Sequence, residues 1–217
     1  LNMEKLPENI PLFPLPGALL LPNSRLPLNI FEPRYINMVE DALATKHRLI
    51  GMIQPIKINT GDSLKEGNKY QKVGCAGRIV SFTETDDGRY LITLEGISRF
   101  KFTKEIEHQK PYILSEIDWG LYTNDLVPFE GLNSFDRNGF LEILKKYLDS
   151  AQIASDWEVL KKAREEVLVN SLSMLCPFEP EEKQVLLEAE TIVKRLDVLV
   201  TLMKLSSEND LESRYVQ

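Results

Sequence analysis

Cysteine and histidine are scarce in this chain of 217 residues, which contains two of each. A disulfide framework or a zinc site needs clustered cysteines or a Cys-x-x-Cys pair, whereas Cys75 and Cys176 lie far apart in the sequence. Both are therefore interpreted as small buried hydrophobic residues. His47 and His108 are not spaced as ligands either, so we predict no metal ion and no cofactor.

Long apolar runs are also lacking. A membrane-spanning helix needs roughly 18 or more apolar residues, and the longest runs here, Ala18–Leu21 and Val198–Met203, are far shorter. The first residues show no basic region followed by an apolar stretch, which is the pattern of a secretory signal. We therefore expect a cytoplasmic protein that does not contact membranes.

The motifs of ATP hydrolysis and proteolysis are absent as well. A phosphate-binding loop ends in glycine followed by lysine, and none of the 11 glycines precedes a lysine. The Ser-x-Gly pattern of a nucleophile elbow does not occur. Ser171 and Ser173 have no histidine in their segment, and Asp86 and Asp87 have no third oxygen ligand at calcium-site spacing. These absences predict a protein without catalytic residues.

Positive charge is not concentrated anywhere in the sequence. Residues 1–119 contain 15 Lys and Arg against 15 Asp and Glu, and residues 120–217 contain 11 against 18. Nucleic acids bind through clustered positive charge, so this distribution predicts that neither DNA nor RNA is a partner. The acidic second half is interpreted as a set of solvated helical faces, although an acidic surface could also attract basic or unfolded segments.

The first half of the chain has the pattern of short strands around one helix. Six prolines interrupt residues 10–35, but the residues between them are large and apolar, unlike a disordered tail or an SH3 ligand. Pro33 is suited to the first position of a helix that should end near Thr45. Segments 79–84 and 90–95 flank Gly88 as the two strands of a hairpin. Further strands, at 97–106 and 112–119, predict a sheet that closes on itself.

From Phe135 onward the apolar spacing becomes helical. Ser155 and Glu158 have the spacing of a capping box, and Pro180 should open a helix whose apolar stripe continues to Met203. The predicted class is α+β. A mostly antiparallel, barrel-like β domain with one helix spans 1–119, a linker spans 120–130, and a helical bundle spans 131–217.

Three segments of the sequence resemble the N-terminal, substrate-binding domain of Lon proteases. The first is Leu12–Pro16 with Pro27–Tyr35, the second is 73–79 with 91–100, and the third is 182–188 with Arg195 and Leu196. The resemblance covers about residues 10–205. It implies a domain that binds protein segments or unfolded proteins and does not transform them, because these matches include no ATPase or protease motif.

The motif positions of the resemblance also provide candidate binding residues: Glu32, Arg34, Tyr35, Glu95 and Arg99. Glu32 and Arg34 flank the predicted helix start, and Glu95 and Arg99 flank Gly96. These side chains could form a polar patch that holds a ligand carboxylate or a backbone amide. They could equally form internal ion pairs and turn-capping bonds that stabilise the fold.

Two other classes of function remain open from the sequence. One is a small-molecule-binding protein or an enzyme that uses a cleft between the two domains, which would require a deep pocket with converging ionisable groups. The other is an adaptor that docks on a protease or chaperone through its acidic helical half. A shallow apolar groove beside an open strand edge would instead favour peptide binding.

Overall fold

The computed structural model describes residues 6–56, 69–129, 131 and 135–215, with side chains as far as Glu208. The chain divides into two compact units, Leu1–Pro128 and Phe129–Gln217. The first unit contains a sheet and one α-helix, and the second contains helices. The predicted α+β class is confirmed. None of the helices in the described part of the chain has the length and apolar character of a membrane span.

Six strands form one sheet in the first unit. They are β1 (Asn9–Pro14), β2 (Arg25–Ile30), β3 (Leu49–Ile53), β4 (Val73–Glu84), β5 (Tyr90–Ile106) and β6 (Ile113–Asp118). The strand order is β2-β5-β4-β3-β1-β6, and β6 also pairs with β5. Five strands therefore form a closed circuit, with β2 attached outside it. The β1–β3 pair is parallel and the other described ladders are antiparallel.

The predicted hairpin between β4 and β5 is confirmed. The amide of Gly88 donates to the Thr85 carbonyl at 2.9 Å, and Gly88 adopts a φ of 78°. Glycine enters this left-handed region without the penalty that a Cβ imposes. The two strands predicted at 90–95 and 97–106 form one continuous strand, β5. Its first part pairs with β2 and β4, and its last part pairs with β6.

Alternating apolar residues of the closed strands fill the core of the first unit. Ile10, Leu12 and Phe100 are almost completely buried there, beside Trp119. The rings of Phe100 and Trp119 meet edge to face, with centroids 6.2 Å apart. The Trp119 indole donates to the Pro7 carbonyl at 3.0 Å, so this large side chain satisfies its polar group while it packs.

Gly96 allows the segment before β2 to approach β5 closely. A Cβ at this position would lie 2.0 Å from the Leu21 carbonyl oxygen. The Gly96 carbonyl accepts from the Asn23 amide, and the Gly96 amide donates to the Ser24 carbonyl, both at 2.9 Å. Only glycine fits this approach, which sets the start of β2.

The helix α1 (Pro33–Ala44) begins with proline at its first turn and ends at Thr45, as predicted. Its buried face packs against β1 and β3 through Tyr35, Met38, Val39 and Ala42. The Thr45 hydroxyl donates to the Ala42 carbonyl at 2.8 Å and accepts from the Arg48 amide. This satisfies backbone groups that a helix end would leave unpaired.

The segment predicted as a linker, 120–130, contains a 3-10 helix over Gly120–Leu126. This helix packs against β5, and Tyr122 is buried. Most of this segment therefore belongs to the first unit.

The second unit contains α2 (Arg137–Ser150), α3 (Trp157–Lys162), α4 (Glu165–Leu175), α5 (Pro180–Glu188) and α6 (Ile192–Tyr215). Helices α2, α4 and α5 pack on α6. Arg195 of α6 is buried and joins α6 to α4 and α5 by hydrogen bonds. Its Nε donates to the Leu186 carbonyl, and its Nη1 donates to Asn170 Oδ1, both at 2.9 Å.

Two details of the predicted helices are wrong. The cap of α3 is Asp156 rather than Ser155, since the Asp156 carboxylate accepts from the amides of Glu158 and Val159 at 3.0 and 3.3 Å. The stripe expected to form one helix from Pro180 to Met203 is divided at Ala189, which has an extended ψ of 119°. A continuous apolar spacing does not reveal such a break, because two packed helices can present the same stripe to one core.

Candidate functional site

The sheet extends beyond its closed circuit as a three-stranded arm. We define the arm as β2 with the adjoining Phe31, residues 79–84 of β4 and residues 90–95 of β5. The three strands pair in the register Leu28–Ile92 and Phe82–Ile92. On the side of β4 that faces β3, the last backbone hydrogen bond among the described residues is donated by the Ile79 amide to the Arg48 carbonyl, at 3.0 Å. Among the described residues, no strand pairs with the outer side of β2 or with β4 after Ile79. The arm therefore has two open edges.

Large apolar side chains are exposed on this arm. The exposed fractions are 64% for Phe31, 43% for Val80, 42% for Phe82 and 45% for Leu91. The other large hydrophobic residues exposed in the described part of the first unit are Ile56, Leu121 and Val127. Clustered apolar exposure is unusual on a soluble domain and typically marks an interaction surface.

The arm has two different faces. On the outer face, Leu91 lies opposite Asn29, and the Arg89 guanidinium lies 5.9 Å from the centre of the Phe31 ring. On the inner face, the rings of Phe82 and Tyr90 meet edge to face at 4.8 Å. The outer face therefore combines apolar side chains with the charged Arg89, whereas the inner face presents two aromatic rings.

The inner face is bordered by α1. The Tyr90 hydroxyl donates to Glu40 Oε1 at 2.9 Å. This hydrogen bond to a carboxylate raises the pKa of Tyr90, and burial adds to the effect. The bond attaches β5 to α1 and places the Glu40 carboxylate at the hydroxyl of Tyr90, whose ring packs on Phe82.

The predicted residues Glu32, Arg34 and Tyr35 form one stacked group at the end of β2. The Arg34 guanidinium lies 2.8 Å from Glu32 Oε2 and 4.5 Å from the centre of the Tyr35 ring. Tyr35 packs on Phe13, with centroids 4.3 Å apart. Burial raises the pKa of the Tyr35 hydroxyl. Glu32 and Arg34 are exposed beside Phe31, whereas Tyr35 belongs to the core.

Glu95 and Arg99 lie elsewhere. Glu95 pairs with Arg25 at 3.5 Å, at the start of β2. Glu32 follows the other end of β2, a strand that is about 17 Å long. The Arg99 side chain is 4% exposed and its Nη2 donates to Asp125 Oδ1 at 2.7 Å. The structure therefore does not bring the five predicted residues into one patch: three contribute to opposite ends of β2, and two are buried in the fold.

A comparison with protein families identifies the fold. The family model of the ATP-dependent protease La (LON) substrate-binding domain matches residues 9–204, which is most of the chain.

The chain belongs to the LON substrate-binding domain family.

Relatives of this LON domain are Lon proteases. It is 26% identical to the Lon protease of Flavobacterium johnsoniae over 226 aligned residues, which span 99% of this chain and 27% of that protein. It is 30% identical to the Lon protease of Parabacteroides distasonis over 116 residues, 54% of this chain and 14% of that protein. The chain thus spans about a quarter or less of these curated relatives. Its 217 residues contain no ATPase or protease module.

Solved structures show the same fold. The N-terminal domain of a Mycobacterium avium complex Lon protease superposes with a TM-score of 0.62 at 15% identity, covering 90% of this chain and 98% of that domain. A Lon N-terminal domain protein from Xanthomonas campestris superposes with a TM-score of 0.59 at 22% identity, covering 89% and 97%.

The apolar residues of the arm were not among the predicted site residues of this LON domain. The signal that could have found them is apolar residues on both faces of the predicted hairpin strands. Val80 is adjacent to Ile79, and Leu91 lies between Tyr90 and Ile92. A strand with one wet face should carry polar residues at those positions.

A second concave feature lies between α1, β1 and β6. It is a half-open cavity of about 240 Å³, with Asp41 and Tyr112 in its lining. The Tyr112 hydroxyl donates to Asp41 Oδ2 at 2.8 Å, and Lys110 Nζ lies 3.1 Å from the same oxygen. Burial, together with this hydrogen bond, raises the pKa of Tyr112 to about 12, and the same bond lowers the pKa of Asp41. These groups are engaged with one another and serve to attach α1 to β6.

The second unit has a groove of about 700 Å³ lined mainly by polar residues of α2 and α6, including Lys146, Asp149 and Lys204. Within the described ranges, no three His, Cys, Asp or Glu side chains are grouped to hold a metal ion. The arm is therefore the feature that combines exposed apolar surface with unpaired strand edges.

Proposed function

We propose that this LON domain binds extended segments of unfolded or locally exposed polypeptides on its arm. The observation that carries the proposal is the combination of Phe31, Val80, Phe82 and Leu91, all exposed, with two open strand edges. An extended segment can add to a sheet edge through main-chain hydrogen bonds while its side chains contact the faces. Most folded proteins pair their backbone groups and bury most of their large apolar side chains, so they offer fewer such contacts.

The free energies of apolar burial and of ordering the bound segment predict reversible binding. Full burial of one large apolar side chain contributes about 1.5–3 kcal/mol, and the arm residues are already half-buried. Ordering a flexible segment costs about 2–5 kcal/mol. The difference between the free energy gained by burial and the free energy spent on ordering the segment leaves a modest affinity. Such an affinity suits a domain that must release its partner.

The family membership supports the nature of the partner. The family is named for binding the substrates of an ATP-dependent protease, and the relatives described above are Lon proteases. We infer that the segments bound here are protease substrates and that binding takes place in the cytoplasm. Cys75 and Cys176 are buried and form no disulfide with each other, as is usual for proteins of a reducing compartment.

The proposal is tested by fluorescence anisotropy with a labelled, reduced and carboxymethylated protein that cannot fold. The double variant Phe82→Ser/Leu91→Ser removes one apolar side chain from each face of the arm. We expect roughly tenfold weaker binding, because about 1–2 kcal/mol of apolar contact is lost.

The matched control is Leu121→Ser, which removes a more exposed leucine of the same unit outside the arm. It should bind like the parent protein. Equal binding by parent and double variant, or binding restricted to folded proteins, would refute the proposal.

A further inference from the structure

The two edges of the arm are not equivalent. Pro27 lies in the middle of β2, opposite Thr93. The Gly96 amide donates to the Ser24 carbonyl, and backbone groups alternate in direction along an antiparallel strand. Arg25, Pro27 and Asn29 therefore present their backbone groups to the open side. Pro27 has no N–H to offer there, which is a common way to block an edge strand.

The β4 edge contains no proline, and its register shift between Ile79 and Ser81 lies before Phe82. The Thr85 amide donates to the Arg89 carbonyl at 2.9 Å, so alternation directs the amides of Thr83 and Ser81 toward β5. The amides and carbonyls of Phe82 and Glu84 then point to the open side. Residues 80–84 are exposed and contain no proline. This edge can accept a further strand.

The inner face beside this edge combines an aromatic ring with negative charge. Phe82 and Glu84 are two residues apart and thus lie on one face. Glu84 is opposite Tyr90, whose hydroxyl binds Glu40. Arg89, the nearest cation along the hairpin, is paired with Asp87 at 2.8 Å. No described lysine or arginine forms an ion pair with Glu84 or Glu40.

We propose that the β4 edge pairs in antiparallel fashion with a segment that has lysine or arginine two residues before a large apolar side chain. The apolar side chain contacts Phe82, and the cation lies between Glu84 and Glu40. Antiparallel pairing continues the β3–β4 ladder, and in this direction the residue opposite Glu84 precedes the residue opposite Phe82. This inference rests on the proposed function and specifies the partner of the same site.

The first test uses a labelled peptide with Lys-Thr-Phe at the centre of a serine- and threonine-rich sequence. Cross-strand pairs of opposite charge are favourable, and like charges directly opposite each other are unfavourable. Replacing the lysine by glutamate should therefore weaken binding about two- to fivefold. Reversing the order to Phe-Thr-Lys should weaken it to a similar extent.

A charge reversal in the protein makes the test specific. Glu84→Lys puts a cation opposite the peptide lysine and leaves only Glu40 of the two carboxylates, so this variant should lose the parent preference for Lys-Thr-Phe over Glu-Thr-Phe. Glu107→Lys, the same change at an exposed position outside the arm, should keep the parent preference. An unchanged preference in Glu84→Lys would overturn the inference.

Backbone methylation tests the pairing itself. The amides of the lysine and phenylalanine in the peptide should face β4, so methylating both should abolish binding. Methylating the threonine amide between them should leave the affinity within about twofold of the parent peptide. Equal effects of the two modifications would overturn strand addition at this edge.

The outcomes separate this inference from the broader function. If Phe82→Ser/Leu91→Ser weakens binding of the unfolded protein but the peptides show no charge preference, the partner class proposed here is wrong and the proposed function holds. If neither the unfolded protein nor any peptide binds, both fail.

Discussion

Arg99 and Asp125 show how one buried pair can position an irregular segment. Asp125 Oδ2 accepts from both the backbone amide and the Nε of Arg99 at 2.9 Å, and Oδ1 accepts from Nη2 at 2.7 Å. The guanidinium lies 4.1 Å from the centre of the Tyr122 ring. This arrangement holds the 3-10 helix on β5, which gives Arg99 a role in the fold.

At the residue scale, we predict that Asp125→Ala lowers the free energy of unfolding of the first unit by about 3–5 kcal/mol. The loss arises because the variant leaves a buried guanidinium without its counter-charge. Urea unfolding followed by Trp119 fluorescence, in a Trp157→Phe background, would measure it.

The comparison variant is Asp87→Ala, which removes an exposed ion pair with Arg89. Exposed pairs contribute about 0–1 kcal/mol, so this variant should be close to the parent. A similar, small loss in both variants would contradict the assigned role of Asp125.

At the scale of elements, the start of α3 depends on one carboxylate. Asp156 accepts from two amides of the first turn. We predict that Asp156→Ala costs about 1 kcal/mol in the free energy of unfolding of the second unit. Ser155→Ala should cost much less, and urea unfolding followed by Trp157 fluorescence in a Trp119→Phe background would compare the two. A larger loss of stability in Ser155→Ala than in Asp156→Ala would support the capping role predicted for Ser155.

The attachment of α1 to β6 predicts a dependence on alkaline pH. An unfolded tyrosine has a pKa of about 10, whereas Tyr112 in the folded protein has a pKa of about 12. The folded state therefore retains this proton more strongly. The resulting stability is fully present below about pH 10 and is lost as the pH rises toward 12.

Tyr112→Phe should accordingly lose less stability than the parent protein over this alkaline range. Tyr35, Tyr70 and Tyr90 also have raised pKa values, but they are present in both proteins, so the difference isolates Tyr112. Unfolding free energies measured at several pH values by Trp119 fluorescence would show it. The prediction would be wrong if Tyr112→Phe and the parent protein lost the same amount of unfolding free energy over this pH range.

At the scale of the whole molecule, charge limits the class of partner. The formal net charge is −7, and the excess of acidic residues lies entirely in residues 120–217. We predict no binding of labelled single-stranded or double-stranded DNA, even at low ionic strength, where phosphate contacts are strongest. The same preparation should bind the unfolded protein. Salt-sensitive DNA binding in the micromolar range would disprove this prediction.

Local patterns predicted the elements of this domain well. Pro33 marked the start of α1, Gly88 marked the hairpin, and the strand predicted at 112–119 is β6. These signals succeed because they depend on backbone angles and on side chains close in sequence. The break at Ala189 and the cap at Asp156 escaped prediction because neighbouring residues offered equally good alternatives.

The candidate site was harder to predict, because it depends on which strand edges and side chains remain uncovered in the folded protein. Phe82 and Leu91 have the apolar character of core residues, and a sequence does not state which strands lack a neighbour. Conversely, Arg99 has the charge of a surface residue but is buried, because Asp125, twenty-six residues further along the chain, meets it.

The amino-acid sequence by itself determined the α+β class, the hairpin, the first helix and the absence of ATPase and protease motifs within these residues, because each of these follows from local composition and spacing. Only the tertiary structure decided that β2 attaches outside the closed strands, that the β4 edge stays open, and that Phe82 and Glu84 border it together. Those properties arise from pairings between distant segments, and exposure is a property of the assembled surface.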